Sequence, residues 1–211
     1  MRDDVKPVGR RQRKALETRR RVLDAAEQLF VSDGYSATTI AAIAETADVA
    51  VQTVYSVFGN KRAVLTELLA ARTVGDDGAA PLRDRQDWQA MEAESEPRRQ
   101  LALLASIATR IGGRMAPLYD VMAEAAGSDP ELAAVFRQQQ EARYKDQRRV
   151  ARSLAHKDAL RDGMSEVRAT DVMWALANPR THRALVGERR WPTDEYEGWL
   201  GQLLAGALLK D

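Results

Sequence analysis

The sequence predicts an all-α protein. Ala, Leu, Glu, Gln and Arg, which favour helices, dominate the chain, and the alternation of apolar and polar residues that is typical of strands is rare. The seven prolines and thirteen glycines fall mostly between segments in which apolar residues recur at helical spacing. We therefore expect helices joined by short breaks, in an N-terminal domain and a C-terminal domain.

The first predicted helix covers residues 18–30. Its apolar residues recur every three or four positions, and Gly34 follows them as a residue suited to a C-terminal cap. Thr39 can cap a second helix, whose apolar stripe is Ile40, Ile43, Ala44 and Ala47.

A short third helix is predicted over residues 51–58, with an inward face of Val54, Val57 and Phe58. Gly59 marks its end, and Asn60 can cap a fourth helix with the apolar face Val64, Leu65, Leu68 and Leu69. Residues 18–72 are therefore expected to form one helical domain of helix-turn-helix type.

A second helical domain is expected over residues 73–211. It opens with a charged, irregular connector or partly formed helix up to Pro97. Further helices are predicted at 98–111, 117–126, 129–157, 166–177 with a broken extension to about 187, and 194–209. Ser128-Asp-Pro-Glu131 is typical of a capping box, and Thr193 is expected to cap the last helix.

The net charge of +1 conceals an asymmetry. Residues 1–21 hold nine of the 32 Lys and Arg and three of the 31 Asp and Glu, which leaves 23 basic and 28 acidic residues for the rest. Residues 1–17 are therefore expected to form a flexible basic arm, which either meets a polyanion or is simply a solvated tail.

The composition also indicates a compartment. The chain has no cysteine, which fits a reducing environment, and its basic N-terminus is not followed by the apolar core of a signal peptide. Uncharged apolar runs fall short of the ~18 residues that a spanning helix needs. We expect a cytoplasmic protein that does not associate with membranes.

Two short helices joined by a tight turn, the second exposing small polar side chains, are typical of a helix-turn-helix whose second helix enters the DNA major groove. The third helix leaves Val51, Gln52, Thr53, Tyr55 and Ser56 on or beside its outer face. Gln52 can bond two atoms of an adenine edge, and Val51 can touch a thymine methyl. Thr53 and Tyr55 can donate to phosphates, and Lys61 adds a cation and a free amide.

At these positions the sequence resembles the tetracycline-repressor (TetR) family of bacterial transcriptional regulators. The resemblance covers residues 18–69 and is carried by Ala25-Ala26, Phe30, Gly34-Tyr35, Thr39, Ile43-Ala44, Ala47, Val49, Thr53, Tyr55, Phe58 and Lys61. It implies that Thr39, Thr53, Tyr55 and Lys61 hold phosphates of a double-stranded operator. It also implies that Val51, Gln52 and Ser56 face bases.

Two residues depart from the family pattern. Asp48 stands where the turn usually carries glycine, and aspartate can adopt the left-handed conformation at some cost. Ala50 stands where Ser or Thr commonly caps the third helix, so that this cap is either missing or supplied by Asp48.

The resemblance further implies that residues after about 75 bind a small molecule and form a homodimer. The C-terminal sequence independently favours association, because its last helices carry a broad apolar stripe. The dimerisation candidates are Val172, Ala175, Leu176, Tyr196, Trp199, Leu200, Leu203 and Leu204. The alternative is that this stripe is an intramolecular core.

A mainly apolar small-molecule effector is expected between the helices of the second domain. Adaptable Met residues, aromatic residues and one phenol could line its pocket. The candidates are Leu103, Ile107, Met115, Leu118, Tyr119, Met122, Phe136 and Met173, each of which could instead be ordinary packing.

No catalytic, metal or cofactor site is expected. His156 and His182 lack carboxylate or cysteine partners at ligand spacing, and no phosphate loop or nucleophile motif appears. The sequence therefore predicts a dimeric, ligand-responsive regulator, most simply a repressor of a palindromic operator. The alternative is a helical enzyme or interaction module that keeps the fold without binding an operator.

Overall fold

The computed structural model describes residues 10–75 and 82–210, and these ranges are helical apart from turns and an isolated antiparallel bridge between Leu160 and Leu209. The predicted all-α class is confirmed. The chain divides into two compact units, residues 1–68 and 69–211. The division falls inside the fourth helix.

The first unit contains α1 (Arg10–Asp33), α2 (Ile40–Thr46), α3 (Val51–Phe58) and the first half of α4 (Lys61–Val74). Helix α1 begins eight residues earlier than predicted, so that residues 10–17 of the expected arm are helical, whereas residues 1–9 lie outside the described residues. Residues 10–17 consist almost entirely of good helix formers but have no apolar stripe to reveal them, and Leu16 is exposed.

The core of the first unit is built from the predicted inward faces of its helices. Fully buried side chains come from all four helices: Val22, Ala26, Phe30, Ile43, Val54, Val64, Leu65 and Leu68. The ring centroids of Phe30 and Tyr35 lie 5.5 Å apart. The buried residues of α3 are Val54 and Phe58, and their positions therefore fix which face of the helix points outward.

Local capping chemistry sets the helix boundaries as the sequence predicted. The Thr39 Oγ1 accepts a hydrogen bond from the Ala42 amide at the start of α2, and the Asn60 Oδ1 accepts one from the Ala63 amide at the start of α4. Gly34 and Gly59 take φ values of 86° and 84°, which glycine adopts without strain.

The second unit contains α5 (Gln86–Ala93), α6 (Pro97–Met115), α7 (Leu118–Ser128), α8 (Pro130–His156), α9 (Glu166–Leu176), α10 (Pro179–His182) and α11 (Thr193–Leu208). A single 3-10 turn, Leu82–Asp84, precedes α5, and a π-helical turn, Arg183–Glu188, follows α10. Helix α6 packs on α5, α10 and α11, and α8 packs on α7 and α9.

Helix α5 lies in the segment that the sequence marked as a connector or partly formed helix. Its Trp88 and Met91 are almost completely buried in the core of the second unit, alongside Leu101, Leu104 and Leu154. Burying two large apolar side chains stabilises this short helix by tertiary packing, which its own charged sequence does not reveal.

Two predicted caps are wrong in detail. Asp129, not Ser128, caps α8, since its Oδ1 accepts hydrogen bonds from the Glu131 and Leu132 amides. The Ser128 hydroxyl instead donates back to carbonyls at the end of α7. Thr193 is the first residue of α11, and the residue before it, Pro192, supplies no side-chain cap.

None of the helices in residues 10–75 and 82–210 is long and apolar enough to cross a membrane.

Candidate nucleic-acid interface and effector site

The outer face of α3 carries residues predicted to contact DNA. Gln52, Ser56, Val51 and Tyr55 are exposed, the last two by 42% and 47% of their surface, which is unusual for large apolar or aromatic side chains. Thr53 is half-buried, and the Ser56 hydroxyl donates to the Thr53 carbonyl at 2.9 Å. The structure therefore places one apolar, one amide and two hydroxyl-bearing side chains together on an exposed face of α3.

The turn between α2 and α3 is held by an arginine from α1. Asp48 has a φ of 51°, so it adopts the left-handed conformation expected of it. The Arg21 Nη2 donates to the carbonyls of Ala47 and Asp48 and reaches the Asp48 Oδ2 at 3.1 Å. These contacts compensate for the strain of a non-glycine residue at this position and fix the angle at which α3 leaves the turn.

Helix α3 lacks the N-terminal side-chain cap that the family pattern would supply. Its N-cap residue is Ala50, and no side chain accepts a hydrogen bond there. Of the two possibilities left by the sequence, the missing cap is the one observed. Packing of Val54 and Phe58 and the Arg21 contacts must therefore hold the helix in place.

Lys61 occupies a different environment from the one the sequence suggested. Its Nζ donates to the carbonyls of Tyr35 and Thr38 at 2.8 Å and of Ser36 at 3.3 Å, and it lies 4.4 Å from the centroid of the Tyr35 ring. The ammonium group thus ties the start of α4 to the loop between α1 and α2. Thr39, the adjacent candidate phosphate ligand, is exposed at the start of α2.

Replacing Lys61 with methionine should therefore lower the stability of the first unit. Hydrogen bonds from a charged donor contribute about 1.5–3 kcal/mol in favourable cases, and methionine keeps the aliphatic stem but removes the donor. Denaturant titration followed by far-UV circular dichroism measures the loss, with the exposed Lys14 changed to methionine as the control. Equal stability of the two variants would show that the Lys61 hydrogen bonds do not stabilise the first unit.

Comparison with known proteins identifies the first unit. Residues 22–68 match the sequence profile described as bacterial regulatory proteins, tetR family. This segment of the first unit is therefore similar to the tetR family. The uncharacterized HTH-type transcriptional regulator YvkB of Bacillus subtilis is 47% identical over 53 residues, which span 25% of this chain and 28% of YvkB. The chain therefore matches only about a quarter of the length of that curated relative.

Two solved structures are similar over nearly the whole chain. FadR from Bacillus subtilis in complex with stearoyl-CoA has a TM-score of 0.71 and 16% identity, and the match covers 89% of this chain and 98% of that one. The second structure is NalD, the secondary repressor of the MexAB-OprM multidrug efflux pump in Pseudomonas aeruginosa. It has a TM-score of 0.66 and 22% identity, and the match covers 93% of this chain and 99% of NalD. At these identities the likeness shows a shared fold, including the helical second unit.

The predicted effector residues fall into three groups in the second unit. Ile107 and Met173 belong to its main buried core, and Leu103 packs against that core. Met115, Leu118 and Met122 are buried at the end of α6 and along α7. Tyr119 and Phe136 contact each other edge to face, with ring centroids 6.3 Å apart, and so join α7 to α8.

A groove between α6 and α11 has a volume of about 470 Å³. Its walls include Arg98, Ala102, Glu197 and Gly201, and none of the predicted effector residues lines it. The groove is shallow and bordered by charged side chains, unlike the enclosed apolar sites that bind small molecules.

Several predicted dimerisation residues are buried within the chain itself. Tyr196, Leu200 and Leu204 are at most 1% exposed, because α11 packs on α6 and α9. Burial raises the pKa of the Tyr196 phenol to about 12. These three residues form an intramolecular core, so their assignment to a dimer seam is wrong. Val172, Leu176, Trp199 and Leu203 are half-buried and Ala175 is exposed, which leaves them available to a partner.

The interior of the second unit also contains polar groups that sequence reasoning passed over. Thr109, Gln147 and His182 are each at most 6% exposed, and the Thr109 Oγ1, the Gln147 Oε1 and both ring nitrogens of His182 have no hydrogen-bond partner. Burial lowers the pKa of His182, which favours its neutral form. The His182 ring packs against α6 at Gly112, where an added Cβ would come within 3.0 Å of it. Buried polar atoms without partners are rare, so these atoms require an explanation.

Within residues 10–75 and 82–210, no group of three or more His, Asp or Glu is placed to hold a metal ion. The alternative of a helical enzyme finds no support in the comparisons, in which residues 22–68 match bacterial regulatory proteins.

Proposed function

We propose that this protein is a homodimeric, ligand-responsive transcriptional repressor that acts in the cytoplasm on a near-palindromic operator. The observation that carries this proposal is the exposed face of α3, where Gln52, Val51 and Tyr55 stand out from a segment that matches the tetR family. Nothing in the first unit packs against this face in the described residues. A helix presented in this way can enter the major groove.

The contacts to DNA divide into two kinds. We propose that Gln52 bonds an adenine edge, that Val51 beside it contacts a thymine methyl, and that Ser56, one turn on, also faces the bases. Thr39, Thr53 and Tyr55 are proposed to donate to phosphates, which positions α3 without reading sequence. Lys61 contributes its charge and holds the loop that carries Thr39, as its hydrogen bonds to residues 35, 36 and 38 indicate.

Dimerisation would set the distance between two recognition helices. We propose that Trp199, Leu203, Val172, Ala175 and Leu176 form the seam with a second copy, because these apolar residues of α9 and α11 are not completely covered within the chain. A two-fold dimer binds half-sites one helical turn, about 34–36 Å, apart. An effector bound in the second unit would favour a spacing that no longer fits the operator.

The effector is proposed to be a small, mainly apolar molecule. The Tyr119–Phe136 pair and the neighbouring methionines supply adaptable apolar surface. FadR, which has the same fold, was solved in complex with stearoyl-CoA, whose acyl chain is apolar, and this supports the proposal.

Selection of bound fragments from random DNA by the full chain should yield one palindromic sequence. On that sequence, Gln52→Ala should relax the preference at a single base step, at a cost of about 1–3 kcal/mol there. Tyr55→Phe should instead weaken binding by a similar factor on every sequence, since it removes a phosphate donor and keeps the ring. Fluorescence anisotropy with a panel of single-base operator variants separates the two effects.

An exchange of these patterns, with Tyr55→Phe acting at one base step and Gln52→Ala acting uniformly, would contradict the assignment of roles. Absence of salt-dependent DNA binding by the full chain would overturn the proposed function itself.

A further inference from the structure

One face of α8 gathers an aromatic ring and three polar side chains. Phe136, Gln140, Arg143 and Gln147 follow one another at intervals of four, three and four residues, which places them along a single stripe of the helix. The stripe contacts α7 through Phe136 and Tyr119. It contacts the end of α9 through Arg143 and Gln147, as their hydrogen bonds to residues 173, 174 and 177 show.

The guanidinium group of Arg143 is only partly used by the protein. Its Nη1 donates to the carbonyls of Trp174 at 2.9 Å and Ala177 at 3.1 Å, and its plane lies 4.8 Å from the Trp174 ring centroid. Its Nη2 has two hydrogens and donates to one acceptor, the Gln140 Oε1, at 3.0 Å. Its Nε is buried and has no hydrogen-bond partner.

Nε, which has no partner, and Nη2, which donates to one acceptor, lie on the same edge of the guanidinium group. The Nε hydrogen and one Nη2 hydrogen point the same way, and this pair forms the fork that binds two oxygens of a carboxylate side by side. Arg19 in the first unit shows the same chemistry within this chain, since its Nε and Nη2 hold the two carboxylate oxygens of Glu67. Arg143 presents the same edge with no carboxylate on it.

The charge of Arg143 is also incompletely balanced. No Asp or Glu in the described ranges forms an ion pair with it, and its neighbours are carbonyls, an amide and aromatic rings. Carbonyls at the end of α9 supply only about half a negative charge. Burial accordingly lowers the pKa of Arg143 to about 10, which shows that its surroundings disfavour the charged form. A bound anion would stabilise that charge.

A second polar group lies one turn away on the same stripe. Gln147 is 4% exposed, its Nε2 donates to the Met173 carbonyl at 3.3 Å, and its Oε1 has no partner. A buried acceptor without a donor is costly, and a bound molecule with a hydroxyl or amide hydrogen would satisfy it. Arg143 and Gln147 therefore point independently to a ligand at this place.

We propose that Arg143 binds a monoanionic oxyacid group, a carboxylate, of the effector, whose apolar body lies against Tyr119 and Phe136. A second guanidinium group, that of Arg180, lies 5.6 Å from the Tyr119 ring centroid, so the preference for a carboxylate rests on shape. The flat two-donor edge of Arg143 fits one planar group better than a tetrahedral phosphate monoester. This inference rests on the proposed function, because it names the ligand class of the same effector site.

The competing explanation is that Arg143 serves only the fold, by capping α9. Its Nη1 contacts fit that explanation, since cations at a helix C-terminus are stabilising. The cap uses only one edge of the group, however, and does not account for the buried Nε or for the second unsatisfied residue on the stripe. A capping role predicts loss of stability on mutation without any selectivity among ligands.

The test uses the full chain and two matched probe pairs, decanoate with decanamide and 2-naphthoate with 2-naphthamide, with decyl phosphate as a further arm. Isothermal titration calorimetry should show that at least one carboxylate binds about 10- to 100-fold more tightly than its amide, the range expected for charge-assisted hydrogen bonds. Decyl phosphate should bind more weakly than decanoate. Arg143→Met should reduce the carboxylate preference to about one, and Arg143→Lys, which keeps the charge without the fork, should give an intermediate value.

Arg148→Met is the matched control, because Arg148 lies on the same helix but is exposed and paired with Glu166. It should retain the full preference. Equal binding of acids and amides, binding of neither, or an unchanged preference in both Arg143 variants would overturn the proposal. If Arg143→Met fails to fold, as circular dichroism would show, Arg143→Lys carries the comparison.

The same samples distinguish this proposal from the proposed function. Carboxylate binding by a chain that shows no affinity for DNA would refute the repressor function and leave the ligand site standing. Operator binding by a chain that does not distinguish acids from amides would do the reverse.

Discussion

Changing Phe30 to alanine should unfold the first unit while the second unit stays folded. Phe30 is fully buried, contacts Tyr35 and lies at the centre of the four-helix core. Removing a buried phenylalanine side chain costs about 3–5 kcal/mol, a large share of the stability of a domain this small. Operator binding should be lost, because α3 depends on this core for its position.

The distribution of aromatic residues makes this prediction directly measurable. All four tryptophans lie in the second unit, at positions 88, 174, 191 and 199. Tryptophan fluorescence therefore follows unfolding of the second unit, whereas far-UV circular dichroism follows both. Phe30→Ala should shift the dichroism transition to lower denaturant and leave the fluorescence transition in place.

The neighbouring Val31 is the control, because it lies on the same helix and is 47% exposed. Val31→Ala should change stability by no more than about 0.5 kcal/mol. If Val31→Ala were as destabilising as Phe30→Ala, α1 would pack by a different face from the one described.

Changing Leu203 to glutamate should convert the proposed dimer to monomers. Leu203 is half-buried on α11, beside Trp199 and away from the fully covered Leu200 and Leu204. A carboxylate placed in an apolar seam would be desolvated without a partner, which costs several kcal/mol, so that the dimer dissociation constant should rise by about 100-fold or more. Sedimentation velocity of the full chain measures the change.

Gln202→Glu is the matched comparison, since it adds the same charge one residue earlier at an exposed position. It should leave the association state unchanged. A stable dimer of the L203E variant would place the seam elsewhere, and loss of the far-UV signal would show that Leu203 belongs to the intramolecular core with Leu200.

These expectations differ from the sequence-based assignment in an instructive way. Tyr196, Leu200 and Leu204 carry the strongest apolar periodicity in α11, and for that reason they suggested an interface. The hydrophobic effect is not directional. An apolar stripe therefore predicts that a surface will be covered, but it does not predict which surface covers it. Packing of α11 on α6 and α9 within the same chain covers these three residues and leaves the flanking Trp199 and Leu203 for a partner.

Long-range hydrogen bonds of basic side chains are the other feature that the sequence did not reveal. In the sequence, nothing distinguishes Arg21, Lys61 and Arg143 from the many other basic residues of this chain. Their partners lie 26 residues away for Arg21 at the Ala47 carbonyl, up to 26 for Lys61, and 31 to 34 for Arg143. Spacing patterns predict contacts between neighbours within one helix, but they do not predict contacts at such separations.

The sequence by itself determined the helical class, most helix boundaries and the outward face of α3. These features depend on interactions within a few residues: the apolar periodicity, the Thr39 and Asn60 caps and the glycines at 34 and 59. The local sequence is therefore enough to predict them. Tertiary structure alone decided that Lys61 binds a loop, that Leu200 faces inward, that α5 forms around Trp88, and that the half-buried Arg143 has an Nε without a hydrogen-bond partner. Each of these depends on which distant surface covers a group, and burial, unlike helix formation, is a property of the whole packed unit.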